Sequence, residues 1–257
     1  MKIDPRIDWR LARLEDRQAA LGEWGDDGPG DDDAWLSPGE RQTLTALRDP
    51  SRREGWLQAR VLAKQLILVH ERALICDASE IDVVSCDAFG RGVRPRVAIG
   101  GRAMPWSLSI SHTETAALVA LCTVPGLSVG VDLVHAASPS RGFLRMWFDG
   151  PERELMAAGD WQEPCRIWAI KEAVYKAVNH NDPFAPRQVR VRRAWGGEYT
   201  CTYRGVDLSG RCRIATWPSG EHVIAMAGVD HSARPAAPGA AVARSMHSYG
   251  EDIDDRS

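Results

Sequence analysis

"EPCRIWAIKEAVYKAVNH", residues 163–180, carries the strongest periodic signal in the chain. Projected at 100° per residue, Ile167, Ile170, Val174, Ala177 and Val178 fall on one arc, which predicts a helix over 161–180 with that arc against a core. Glu172 and Lys176 lie on the opposite side at the i,i+4 spacing of a surface ion pair, which is worth about 0.3–0.5 kcal/mol. Some distance upstream, "VGVDLV" (129–134) reads as a strand of apolar and glycyl positions around a single carboxylate, Asp132. Such a carboxylate is costly unless it pairs, caps a turn or binds a cation.

Outward from these two segments, helices alternate with short strands. "DPSRREGWLQARVLAKQLILVHERAL" (49–74) has no glycine or proline after Gly55 and predicts a long helix, with Asp49 as cap and Pro50 in its first turn. Strands are expected at 81–86, at 96–99, over the alternating "WSLSISH" (106–112), and around 187–193, 198–204, 211–217 and 222–229. "DGPEREL" begins another helix behind Asp149. A long helix with a small sheet thus occurs twice, which suggests two α+β halves joined near 125–130. The segments "WLQARVLAKQL" and "WAIKEAVYKAV" share a tryptophan, a basic residue, an alanine and a lysine, too little to prove a duplication.

A chain of 257 residues with 44% hydrophobic content can bury a full core, and its net charge of −3 argues against a dominant nucleic-acid-binding role. The only lysines are Lys2, Lys64, Lys171 and Lys176, so each one inside the body is of interest. Six cysteines without CxxC or metal-ligand spacing point to scattered thiols in a reducing compartment. Neither an apolar leader nor a membrane-length apolar run is present, so a cytoplasmic location without membrane contact is expected. Residues 2–22 are compatible with a helix, "GDDGPGDDDA" (25–34) with a flexible acidic loop, and the stretch beyond Asp230 with a disordered tail.

"GVD" (130–132) followed by "WAIKEAVYK" (168–176) resembles the two-part signature of the 4'-phosphopantetheinyl transferases, specifically the larger surfactin-synthetase-activating type. "RREGWLQARVLAK" (52–64), "GRGVRPRV" (90–97) and "SISHT" (109–113) follow the family's order, and the resemblance covers about residues 37–230. It implies an α+β fold of two similar subdomains related by pseudo-twofold symmetry. The divisions expected are an extension with the acidic loop (1–36), an N-terminal subdomain (37–126), a C-terminal subdomain with the metal site (127–230) and the tail (231–257).

The activity implied is transfer of the phosphopantetheine arm of coenzyme A to a serine hydroxyl of an acyl or peptidyl carrier protein. The reaction releases 3',5'-adenosine bisphosphate. The resemblance makes Asp132 and Glu172 ligands of Mg²⁺, Glu172 the general base and Lys176 a phosphate contact. It places Arg53, Arg60, Lys64, Arg94, Pro95, Ser111, His112 and Lys171 around the coenzyme. The third acid common in the larger type is replaced here by Val134, and the first 36 residues lack the opening strand expected of the family. "SRGFLRMWF" (140–148) combines Arg141 and Arg145 with apolar side chains as a docking surface for an acidic carrier helix, or else forms a helix packed on the second sheet. The duplicated architecture suits a monomer. A weakly active relative that binds coenzyme A or carrier without turnover, and an unrelated Mg²⁺-dependent phosphohydrolase, are the alternatives.

Overall fold

The computed structural model describes residues 4–13, 32–71, 77–86, 92–179 and 182–233. Most of the acidic loop and of the tail expected from the sequence lie outside them. The architecture is mixed α+β and duplicated. The first half consists of strand β1 (Asp8–Arg13), helices α1 (Pro38–Ala46) and α2 (Pro50–Glu71), and strands β2 (Ile81–Cys86), β3 (Gly92–Ile99), β4 (Arg102–Ala103), β5 (Ser107–His112) and β6 (Ala116–Cys122). The second half repeats the order with β7 (Leu127–His135), a short helix α3 (Arg141–Trp147), α4 (Gly150–Ala158), α5 (Glu163–Val178), β8 (Val189–Arg193), β9 (Tyr199–Tyr203), β10 (Val206–Asp207), β11 (Cys212–Ser219) and β12 (His222–Asp230). Each half has one antiparallel sheet of three strands, β1-β6-β5 and β7-β12-β11, and one small meander, β2-β3-β4 and β8-β9-β10.

The repeat extends to single hydrogen bonds. Helix α1 opens with a capping box in which Ser37 and Glu40 exchange side-chain and backbone bonds, and α4 opens with the same device built from Asp149 and Glu152. Both glutamates are buried. Glu40 accepts the Val83 N–H at 3.2 Å and Glu152 the Val191 N–H at 2.8 Å, in the first strand of each small meander. Facing them are two buried lysines. Lys64 Nζ lies 2.5 Å from Glu40 and donates to the Trp35 and Ala78 carbonyls, while Lys171 Nζ lies 2.7 Å from Glu152 and donates to those of Pro186 and Val189. Burial pulls both ammonium groups below the usual lysine range, and the glutamates act against that pull.

This equivalence sets the internal register. Lys64 matches Lys171, not Lys176 as an overlay of the two tryptophan-led segments suggests. Gln65 then occupies the position of Glu172 and Val69 that of Lys176, so the chemistry-bearing pair of α5 has no counterpart in α2.

Two further expectations are corrected. Residues 8–13 form a strand that pairs with β6 from Asp8↔Leu121 to Arg13↔Ala116, so the opening strand is present and the helix expected over 2–22 is not formed there. Trp9 and Leu11 are held by packing on the core between the two sheets, and that burial overrides the local charge pattern. The first sheet therefore begins inside the region expected to be an extension.

Each half has its own core. Ala59, Leu62, Leu66 and Ile67 of α2 pack on β6, and the predicted arc of α5 packs in the second core with Ala225 and Ala227 of β12. A third core, including Leu118 and Ala120 of β6 with Val129, Val131 and Leu133 of β7, joins the two larger sheets. Both faces of β6 are buried, as its near-continuous apolar sequence requires. Among the described residues no helix is long and apolar enough to cross a membrane.

Candidate active site

The two halves meet where edge strand β5 runs beside edge strand β7. They are joined by side chains: the hydroxyls of Ser107, Ser109 and Ser111 accept the N–H groups of Val129, Val131 and Leu133 at 2.9, 2.9 and 3.2 Å. The polar positions of "WSLSISH" thus cover the exposed donors of a neighbouring sheet edge, each of which would cost about 1–3 kcal/mol if buried unpaired. On the other side of β7, Gly130 lies directly under α5. A methyl group there would sit 1.9 Å from the Ala173 carbonyl oxygen and 2.6 Å from the Ala177 nitrogen, so glycine is required for the strand and helix to approach this closely.

That approach brings Asp132, two residues along the same face, against Glu172 and Lys176. Lys176 Nζ donates to Asp132 Oδ1 at 2.7 Å and to the Val131 carbonyl at 3.0 Å, and lies 3.9 Å from Glu172. Ser111 donates to the same Oδ1 at 2.9 Å. Asp132 Oδ2 is buried without a hydrogen-bond donor. Burial, then the negative charge of Asp132, and a hydrogen bond shared between the two carboxyl groups push Glu172 up to about 7; Lys176 and the Trp168 indole pull the other way. Two carboxylates set this close call for a shared proton or a cation.

The residues fit a hard divalent cation. They offer two carboxylates, one with an orphaned buried oxygen, and Mg²⁺ is ordinarily held by one or two carboxylates with phosphate oxygens and water. Among the described residues no group of three His, Cys, Asp or Glu side chains is arranged to hold a metal ion, and Val134 contributes no oxygen from its side chain.

Two adjoining hollows share His112 and Lys176. One, of about 370 Å³, is lined by Ser111, Asp132, Val134 and Glu172; the other, of about 270 Å³, by Trp56, Arg60, Arg94, Pro95, Tyr175 and Asn179. Burial pulls His112 below the usual histidine range, and the nearby charges of Arg60, Lys176 and Arg52 add to the effect. The hollow thus gathers the basic side chains of Arg60, Arg94 and Lys176 in a chain whose net charge is negative. Arg60 stacks over Trp56 at 4.5 Å and donates to Ser85, and Arg94 donates to Ser107 at 2.6 Å.

Of the residues singled out in the sequence, Asp132, Glu172, Lys176, Ser111, His112, Arg60, Arg94 and Pro95 gather at these hollows. Three do not. Lys64 and Lys171 are consumed by the internal glutamates, and Arg53 is exposed, with its guanidinium donating to the Leu44 carbonyl. Trp56, Ser85, Tyr175 and Asn179 line the hollow without having been anticipated. Trp56 lies one turn before Arg60, and Asn179 one turn after Tyr175, so helical spacing was their available signal. In α3, Phe143, Leu144 and Trp147 pack on the second core, while Arg141, Arg145 and Met146 are exposed.

Residues 128–227 match the family model of the 4'-phosphopantetheinyl transferase superfamily. No curated protein matches the chain. Similar solved structures include the Helicobacter pylori holo-[acyl-carrier-protein] synthase in complex with coenzyme A, at 15% identity and a TM-score of 0.33 over 38% of this chain and 96% of that one. The ACPS–CoA complex of Chronobacterium ammoniagenes has 19% identity and a TM-score of 0.34 over 42% and 98%. A holo-(acyl-carrier-protein) synthase of Bacillus anthracis, in complex with CoA (3',5'-ADP), has 19% identity and a TM-score of 0.31 over 45% and 91%.

Proposed function

We propose that the chain is a 4'-phosphopantetheinyl transferase of the larger, two-subdomain type, acting on an acyl or peptidyl carrier protein with coenzyme A as co-substrate. The observation that carries the reading is the pairing of Asp132 and Glu172 in one hollow, beside a second hollow lined by Arg60, Arg94 and His112. The family match over residues 128–227 supports it and includes all three of Asp132, Glu172 and Lys176.

In this reading Asp132 and Glu172 hold Mg²⁺, which when bound supplies positive charge to the diphosphate of coenzyme A. Arg60, Arg94 and His112 bind phosphate groups. Glu172 takes the proton from the carrier serine, and proton removal by a positioned base is worth about 10²- to 10⁴-fold. The serine oxygen bonds to the phosphorus bearing the pantetheine arm, and the bond from that phosphorus to the bisphosphate leaving group breaks. Lys176 sits between both carboxylates and offsets charge as the leaving group departs. Positioning and electrostatics supply most of the rate. Exposed Arg141, Arg145 and Met146 present basic and apolar groups to an acidic carrier helix.

Incubation with coenzyme A, Mg²⁺ and apo carrier protein is the direct test, read by mass spectrometry of the carrier. A gain of one phosphopantetheine supports transfer. Binding without gain supports the weakly active reading that Val134 motivates, and cleavage of coenzyme A without modification supports a phosphohydrolase.

A further inference from the structure

The three serines of β5 make equivalent bonds to β7 backbone N–H groups, but one of them does more. Ser111 accepts the Leu133 N–H at 3.2 Å and also donates to Asp132 Oδ1 at 2.9 Å. A serine hydroxyl has a single proton, and acceptance from Leu133 orients the oxygen, so that proton is committed to Asp132. Lys176 donates to the same oxygen at 2.7 Å. Both donors therefore converge on Oδ1, and Oδ2 is left buried with neither of them, while the Asp132 carboxylate also shares a side-chain hydrogen bond with the Glu172 carboxyl.

We infer that Ser111 is a positioning residue for the cation site: it selects the carboxylate rotamer that presents Asp132 Oδ2 to a metal ion. The inference rests on the reading of Asp132 and Glu172 as cation ligands, and it gives Ser111 a role different from the coenzyme contact implied by the family resemblance. A hydroxyl whose proton is spent on a carboxylate has none for a phosphate oxygen. Groups that orient a metal ligand in this way are worth about 10- to 100-fold in metal affinity.

The test is Mn²⁺ affinity, followed by electron paramagnetic resonance on full-length protein saturated with coenzyme A, for wild type, Ser111→Ala, Ser111→Thr and Ser109→Ala. Ser111→Ala should bind Mn²⁺ about tenfold or more weakly, whereas Ser111→Thr, which restores the hydroxyl, should stay within about threefold of wild type. Ser109→Ala removes an equivalent partner of a β7 N–H without touching Asp132, and its Mn²⁺ affinity should be that of wild type. Wild-type affinity in Ser111→Ala, failure of threonine to rescue, or an equal loss in Ser109→Ala would overturn the positioning role while leaving the cation site standing. A wild type that binds no Mn²⁺ would overturn both.

Discussion

Replacement of Glu172 by glutamine should stabilise the metal-free protein and abolish its activity. The carboxyl is held at about 7 against an ordinary 4.5, by burial and by the charge of Asp132. Between those two pH values the native state keeps a proton that the unfolded chain has lost, so native stability falls as pH rises and levels off above 7. At about 1.4 kcal/mol per pH unit, ionised Glu172 costs the native state on the order of 3 kcal/mol. Glutamine never ionises and escapes that cost. In urea unfolding with a chelator present, wild type and Glu172→Gln should be nearly equal at pH 4.5 and separate by roughly 3 kcal/mol at pH 8, with a melting difference on the order of 10 °C. Addition of Mg²⁺ and coenzyme A should reverse the order, because only the wild type gains binding energy at the carboxylate pair. Parallel pH curves for the two proteins would show that Glu172 is not held out of water against Asp132. Undiminished transfer by the variant would remove it from the mechanism.

Gly130→Ala should destabilise the protein by about 3 kcal/mol or more by forcing β7 off α5, and should reduce transfer without altering any charged group, as unfolding curves and turnover will show. Lys64→Met and Lys171→Met should each cost about 3–5 kcal/mol in chemical denaturation, by stranding a buried glutamate, with little change in the KM for coenzyme A. Arg94→Ala should raise that KM with a smaller effect on kcat, measured by carrier modification at varied coenzyme A. His112 should titrate at a higher pH, followed by NMR, once 3',5'-adenosine bisphosphate is bound, because a phosphate opposes both its burial and the charges of Arg60 and Lys176.

Much of the site was legible because its signals are local. A carboxylate in an apolar strand is anomalous on any physical scale, and helical spacing alone puts Glu172 and Lys176 on the face away from the hydrophobic arc. The arc itself and the caps at Asp49 and Asp149 belong to the same local order of information. The roles of the lysines were not legible. Lys64 and Lys176 follow tryptophans at the same spacing, but one is buried against Glu40 and the other bridges Asp132 and Glu172.

The sequence by itself determined the alternation of elements and the apolar face of α5, since periodicity and residue chemistry act within a few turns of chain, and the resemblance of "GVD" and "WAIKEAVYK" to a family signature pointed to the two acids. Only the tertiary structure decided that residues 8–13 complete the first sheet, that Glu40–Lys64 and Glu152–Lys171 are the matched pairs of a duplication, and that three serines bind one sheet edge to the other. Those contacts join residues far apart in the chain. Whether a lysine neutralises a buried glutamate or faces a groove is settled by which partner packing brings within hydrogen-bond reach, and one-dimensional spacing does not contain that distance.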